Sequence, residues 1–188
     1  MLIIIKDKNS FHVAVTVFGA YDDFSVEDML HEENLPLWRV QNVSKCLMAT
    51  PGVSAFGYDL LRYGDFNLRS ALTPVNIITK ILPAIRQRLS EFDQLSKDGY
   101  NWGEIVIAKG VKAFRLTSNF TYEVIEESHA VGRGSDVARG ALMLTKGLPP
   151  LERIKHVCRV LERTWKDKHF PAVVMNTATD EKIILYDT

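Results

Sequence analysis

The sequence has few cysteines, no long apolar run and no excess of charge of either sign, and each absence excludes a class of protein. Cysteine occurs only as Cys46 and Cys158, which is too few for a disulfide-stapled scaffold and predicts two reduced core thiols in a cytoplasmic protein. The apolar start MLIII ends at Lys6, lacks a basic flank, and no later run approaches the ~20 residues that span a bilayer. Lysine plus arginine equals aspartate plus glutamate at 23 each, which argues against nucleic-acid or anionic-membrane partners.

Metal and cofactor motifs are also missing. Neither HExxH nor a paired CxxC occurs, and the five histidines lie far apart at His12, His31, His129, His156 and His169. We therefore expect no metal and no cofactor. A nucleophilic pair of Cys46 with His129 or His156 is an alternative, although a cysteine within an apolar strand is more typical of a packed core.

The N-terminal quarter of the chain predicts mostly strands. The stretch IIIKDKNSFHVAVTVFGA predicts a hairpin that turns at residues 7–10, and WRVQNV and KCLMAT predict two further strands that end at Pro51. The intervening segment 22–33 carries six acidic residues and no basic one, which predicts a short surface helix. This helix is either a solvated face or a docking surface for a basic partner.

Helical spacing follows the first strands. Residues 53–63 predict one helix, and Thr73, as N-cap before Pro74, opens a second that should run to about Leu95. Pro83 is expected to kink this second helix. Its apolar residues are predicted to share one buried stripe, namely Ile77, Ile78, Ile81, Leu82, Ile85 and Leu89.

The second half of the chain repeats the pattern of strands, then helices, then strands. A strand meander is predicted for EIVIAKG, VKAFRLTSN and FTYEVIEES, and two closing strands for PAVVMNTA and KIILYD. Between them VGRGSDVAR enters a helix, with Ser135 or Asp136 expected as N-cap; an anion site that uses Arg133 is the alternative. The last helix, PPLERIKHVCRVLERTWKD, is predicted to bury Ile154, Val157, Cys158 and Leu161.

Paired helices between blocks of antiparallel strands do not fit a βαβ sheet and instead predict two packed sheets with a helical layer outside each. At 188 residues the chain has the size of a single domain, 1–188. Two stretches resemble the proteasome β-subunit and its bacterial relative HslV: EIVIAKGVKAFRLTSNFTYEVIEESHAVGRGSDVARGALML and, after it, LPPLERIKHVCRVLER. In the first half of the chain, KCLMATPGVSAFGYDLL resembles the strand, glycine turn and first long helix of that family. The resemblance implies the α+β, four-layer α-β-β-α sandwich of the N-terminal-nucleophile hydrolases.

In that family the first residue is a threonine, whose hydroxyl attacks the peptide carbonyl while its own α-amine takes the proton. The resemblance places Met1 at this nucleophile position, and a thioether has no acidic proton. The family's aspartate falls at Val17, its catalytic lysine at Leu37 and its turn serine at Arg133, while Asp167 matches a family aspartate loosely.

A shift of two residues would place Arg39 near the lysine position, where it could supply only positive charge. The resemblance therefore predicts a non-catalytic structural or regulatory subunit. Such a subunit would form a homo-oligomer, for which a ring is one arrangement, and its partner would be an active paralogue or an ATP-driven unfoldase. The alternative is a hydrolase of peptide or amide bonds with a displaced nucleophile, for which the candidates are Ser10, Thr16, Cys46 and Ser135. A third hypothesis is a small-molecule binding module in which Arg133 and Arg39 capture an anion.

Overall fold

The structure, a computed structural model, describes residues 1–16, 35–51, 64, 66–91, 103–166 and 169–187. Its ten strands are β1 (Leu2–Asp7), β2 (Ser10–Thr16), β3 (Leu37–Arg39), β4 (Cys46–Ala49), β5 (Ile105–Lys109), β6 (Lys112–Leu116), β7 (Tyr122–Ile125), β8 (Ser128–Val131), β9 (Ala172–Asn176) and β10 (Lys182–Leu185). Its helices are α1 (Pro74–Asn76), a π-helical turn (Ile77–Ile81), α2 (Leu82–Glu91), α3 (Ser135–Leu144) and α4 (Pro150–Trp165).

The strands form two five-stranded sheets, and every pairing among the described strands is antiparallel. Sheet A has the order β10-β9-β2-β1-β8, and sheet B has the order β3-β4-β5-β6-β7. The alternation of buried side chains on β1 and β2 serves two cores at once, because successive residues of a strand point to opposite faces. Ile4 and Val13 thus pack between the sheets, whereas Ile3 and Ala14 pack toward the helices.

Three apolar layers hold the fold together. One lies between the two sheets, one between sheet A and the pair α3–α4, and one between sheet B and the helical segment from the π turn through α2. This is the predicted α-β-β-α sandwich, and the hairpin, the meander and the two closing strands are all confirmed. None of the helices in the described residues combines the length and apolar character needed to cross a bilayer.

The helix that begins at Pro74 follows the sequence prediction with two exceptions. Thr73 is the N-cap as expected, since its hydroxyl accepts a hydrogen bond from the amide of Asn76 at 3.2 Å. The first exception is the π-helical turn just before Pro83, in which each turn of backbone is wider than in an α-helix. The wider turn accommodates Pro83, because proline has no N–H to donate and its ring crowds the carbonyl four residues earlier. Ile78 does not join the buried stripe: 54% of its surface is exposed, because this turn shifts the helical spacing on which the prediction depended.

Two further expectations were wrong or incomplete around the glycine-rich turn. Residues 128–131 form a separate strand, β8, which pairs with β1 in sheet A. Neither Ser135 nor Asp136 caps α3; the N-cap is Gly134, because its carbonyl accepts the first hydrogen bond of the helix, from the amide of Ala138 at 3.0 Å. Asp136 lies in the first turn and forms an ion pair with Arg139. The predicted acidic helix at 22–33 and the predicted helix at 53–63 lie outside the described residues.

Candidate functional site at the start of the first strand

Met1 lies one residue before β1, in the apolar layer between sheet A and the helices. Its side chain is 8% exposed and packs with Ile3 and Ile5 in the layer between sheet A and the helices. Its carbonyl accepts a hydrogen bond from the amide of Thr16 at 3.0 Å, which extends the β1–β2 ladder to the first residue. Burial lowers the pKa of the Met1 α-amine to about 6, although the nearby Cys158 thiol opposes the shift. The amine is therefore mostly neutral at pH 7.

The glycine-rich turn between β8 and α3 packs directly on Met1. Gly132 and Gly134 have φ angles of +103° and +81°, which favour glycine. A Cβ atom at Gly132 would lie 3.0 Å from the Pro51 Cβ and 3.8 Å from the Met1 Cα. At Gly132 both the positive φ and the close approach of Pro51 therefore disfavour a side chain.

Apolar side chains fill the space beneath this turn. A Cβ atom at Gly134 would lie 3.1 Å from Leu161 Cδ2, 3.2 Å from Trp165 Nε1 and 3.6 Å from Met1 Cε. We call Met1, Leu161 and Trp165 the apolar plug. Outside it, the exposed Arg133 holds its guanidinium 5.2 Å from the centre of the Trp165 ring, a cation–π contact. The Arg133 side chain thus lies over the Trp165 ring at the outer side of the plug.

A threonine–histidine contact lies close by and joins two residues that the sequence analysis did not pair. Thr16 Oγ1 is 3.3 Å from His169 Nδ1, and the two residues are 5% and 3% exposed. Glu162 of α4 holds the histidine segment, because its Oε1 accepts from the amides of His169 at 2.7 Å and Phe170 at 3.2 Å. No local signal could predict this contact, since the partners are 153 positions apart. Thr16 is too deeply buried in this structure to reach a peptide bond.

Leu37 and Arg39 are the described residues at and near the lysine position that the resemblance implies. Leu37 is 1% exposed in the core between the sheets, where a charged amine would be costly. The Arg39 guanidinium donates to the Asn176 carbonyl at 3.1 Å, and its correspondence to the family's lysine stays a prediction. Asn176 pairs with His12, four residues along β2 from Thr16, a separation of about 13 Å. Val17 and Asp167 lie outside the described residues.

The other candidate nucleophiles are also poorly placed. Cys46 is fully buried in the outer core of sheet B, and this burial raises its pKa to about 11 despite the charges of Lys109 and Arg39. The proposed pairs with His129 and His156 do not form, because His129 lies on sheet A and His156 is exposed on α4.

The two serines are not poised for attack either. Ser10 is 6% exposed, and its hydroxyl accepts from the side-chain amide of Asn176 at 3.1 Å. Ser135 is the first residue of α3, in the turn itself, and is half-buried. No group of three His, Cys, Asp or Glu side chains in the part of the chain that the structure describes could hold a metal ion.

No model of a known protein family matches the chain, and no curated protein matches it in sequence. Solved structures do match. The chain is similar to Thiobacillus denitrificans BPH, with a TM-score of 0.69 and 16% identity over 93% of this chain and 96% of that one. It is equally similar to Thiobacillus denitrificans BPH in complex with Epoxomicin, with a TM-score of 0.70 and the same identity and coverage. At this identity the likeness concerns the fold, and it supports the proteasome-like four-layer architecture predicted from the sequence.

Proposed function

We propose that the chain is a proteasome-like subunit without peptidase activity, which acts as a structural or regulatory component of an oligomer. The observation that carries this proposal is the apolar plug. At the position where the family mechanism needs a hydroxyl, the Met1 thioether packs beneath the glycine-rich turn. A thioether has no proton to transfer to a base, so the neutral α-amine beside it has no nucleophile to activate.

Two other positions support the same proposal. Leu37, to which the resemblance assigns the lysine position, is buried among apolar residues. Arg133, to which it assigns the serine position, stacks on Trp165 and presents no small hydroxyl. Since nucleophile, cation and hydroxyl all differ, replacement of one residue should not restore the chemistry. We further propose a homo-oligomer, with an active paralogue or an ATP-driven unfoldase as a possible partner, because symmetric self-association is the commonest assembly of soluble proteins.

The peptidase half of the proposal is tested with fluorogenic peptides that carry acidic, basic or apolar residues before the reporter. We expect no hydrolysis above the buffer rate by the native protein. A Met1→Thr variant, exposed at its first residue by cleavage of a fusion tag, should also remain inactive because Leu37 and Arg133 are unchanged. Hydrolysis by the native protein that epoxomicin blocks would contradict the proposal. Epoxomicin is the apt inhibitor because a solved structure of Thiobacillus denitrificans BPH contains it.

The oligomer half is tested separately by sedimentation velocity at micromolar concentration. We expect a species several times heavier than the 21.3 kDa chain. A monomer at every concentration would contradict self-assembly while leaving the absence of peptidase activity intact.

A further inference from the structure

The turn between β9 and β10 connects the two sheets through hydrogen bonds that we call the clasp. It lies at the end of sheet A opposite the apolar plug. Arg39 of sheet B reaches across to it: one guanidinium nitrogen donates to the carbonyls of Asn176, at 3.1 Å, and Thr179. The Arg39 Nε lies 3.3 Å from Asp180 Oδ1. The backbone of this turn therefore binds a side chain of the opposite sheet.

Thr177 provides a second link in the clasp. Its hydroxyl accepts from the amide of Phe11 at 2.9 Å and donates to the carbonyl of Gly110, in the β5–β6 turn of sheet B, at 2.7 Å. Thr177 is fully buried, so these bonds are shielded from water. The residue just before it, Asn176, decides how the turn is held against β2.

The side chain of Asn176 can be oriented from its contacts. Its Oδ1 accepts from the amide of Ala178 at 2.6 Å, so its Nδ2 is the atom that faces Ser10 Oγ at 3.1 Å and His12 Nε2 at 2.9 Å. An amide nitrogen can only donate, and His12 Nε2 must therefore be the acceptor. The ring is the neutral tautomer with its proton on Nδ1, a buried atom without a hydrogen-bond partner among the described residues.

We propose that His12 is an acid-sensitive latch that holds the β9–β10 turn against β2 only while its ring is neutral. A proton on Nε2 would point at the donor Nδ2 of Asn176, and two donors cannot share that contact. Asn176 must then turn its oxygen toward the ring, which breaks its bond to the Ala178 amide. The start of the β9–β10 turn thereby loses the side-chain hydrogen bond that holds its backbone at Ala178.

The charges around the His12 ring influence the pH at which the latch responds. Asp7 of β1 faces His12, with its Oδ2 3.8 Å from Nε2, and favours the charged ring. β9 contributes the neutral Asn176, and Arg39 and Asp180 lie beyond it, around the turn. Burial outweighs Asp7 and lowers the pKa of His12, so the ring is neutral at pH 7 and becomes charged only in acid.

The latch is tested by amide hydrogen exchange at Ala178, measured by NMR between pH 7.5 and pH 5 and corrected for the intrinsic exchange rate. We expect protection of this amide to fall roughly three- to tenfold in acid, the change that loss of one hydrogen bond gives. A His12→Gln variant keeps an acceptor for Asn176 but cannot be protonated, so its protection should not change with pH. His156→Gln, on the exposed face of α4, is the matched control and should behave like the native protein.

The same pH dependence in His12→Gln, or none in the native protein, would overturn the proposal. Should His12→Gln fail to fold, the imidazole nitrogen shifts of the native protein decide. At pH 7.5 they should show a protonated Nδ1 and an unprotonated Nε2. A protonated Nε2 would exclude the acceptor role and with it the latch.

Discussion

Three glycine-to-alanine substitutions measure how tightly the glycine-rich turn packs on the apolar plug. Gly134 has φ +81° and its Cβ would lie 3.1 Å from Leu161 and 3.2 Å from Trp165. Gly110 has φ +57° but nothing within 4 Å of the added atom, and Gly140, within α3, has neither a positive φ nor a near neighbour. The three sites thus separate backbone strain from packing.

The expected changes in the free energy of unfolding differ in sign and size. Gly140→Ala should stabilise by about 0.5–1 kcal/mol, because alanine loses less backbone entropy in a helix. Gly110→Ala should destabilise by about 1 kcal/mol, the cost of a left-handed residue. Gly134→Ala carries that same cost and adds crowding of about 1–3 kcal/mol, since Leu161 and Trp165 must move.

The assay is equilibrium unfolding in urea at one protein concentration, followed by tryptophan fluorescence and circular dichroism. The comparison that matters is Gly134→Ala against Gly110→Ala, because their difference isolates the contact with the plug. Equal destabilisation of these two variants would show that nothing packs against the turn. It would refute the description of the site as filled by side chains.

Three further predictions follow from buried polar groups. Arg153 is 8% exposed and donates to the Leu142 carbonyl at 2.9 Å. Arg153→Leu should therefore lower the free energy of unfolding, measured in urea, by about 2 kcal/mol. Unchanged stability would contradict the importance of this bond. Burial raises the pKa of Cys46 to about 11 and of Cys158 to about 12, so iodoacetamide at pH 8 should label both thiols by intact mass only after unfolding, and rapid native labelling would contradict it. Burial lowers the pKa of His129, although Glu123 opposes the shift. The contribution of His129 to stability is therefore complete above pH ~6.5 and is lost as the pH falls. His129→Gln should weaken the dependence of the melting temperature on pH, and an unchanged dependence would contradict this prediction.

Sequence patterns predicted the layers of the fold because they depend on local, repeated signals. Alternating apolar residues defined the strands around Ile4 and Val13, and the spacing of Ile154, Val157 and Leu161 defined the face of α4 that packs on sheet A. These signals are strong because one face of each element is almost fully buried.

The features that could not be predicted depend on contacts between distant parts of the chain. Ile78 fits a helical stripe in sequence, but the π-helical turn rotates it toward solvent. Arg39 is two residues from the lysine position that the resemblance implies, and its guanidinium binds the carbonyl of Asn176, which is distant in sequence. His12 showed no motif, because its partner Asn176 comes from a strand 164 positions later.

The central proposal is that none of the residues the structure describes is a poised hydroxyl or thiol nucleophile. The most direct test is intact-protein mass spectrometry after exposure of the native protein to an excess of a fluorophosphonate probe at pH 7.5. We expect the mass to remain that of the unmodified chain. A single stoichiometric adduct, mapped by peptide sequencing to Ser10, Thr16 or Ser135, would contradict the account and favour a hydrolase with a displaced nucleophile.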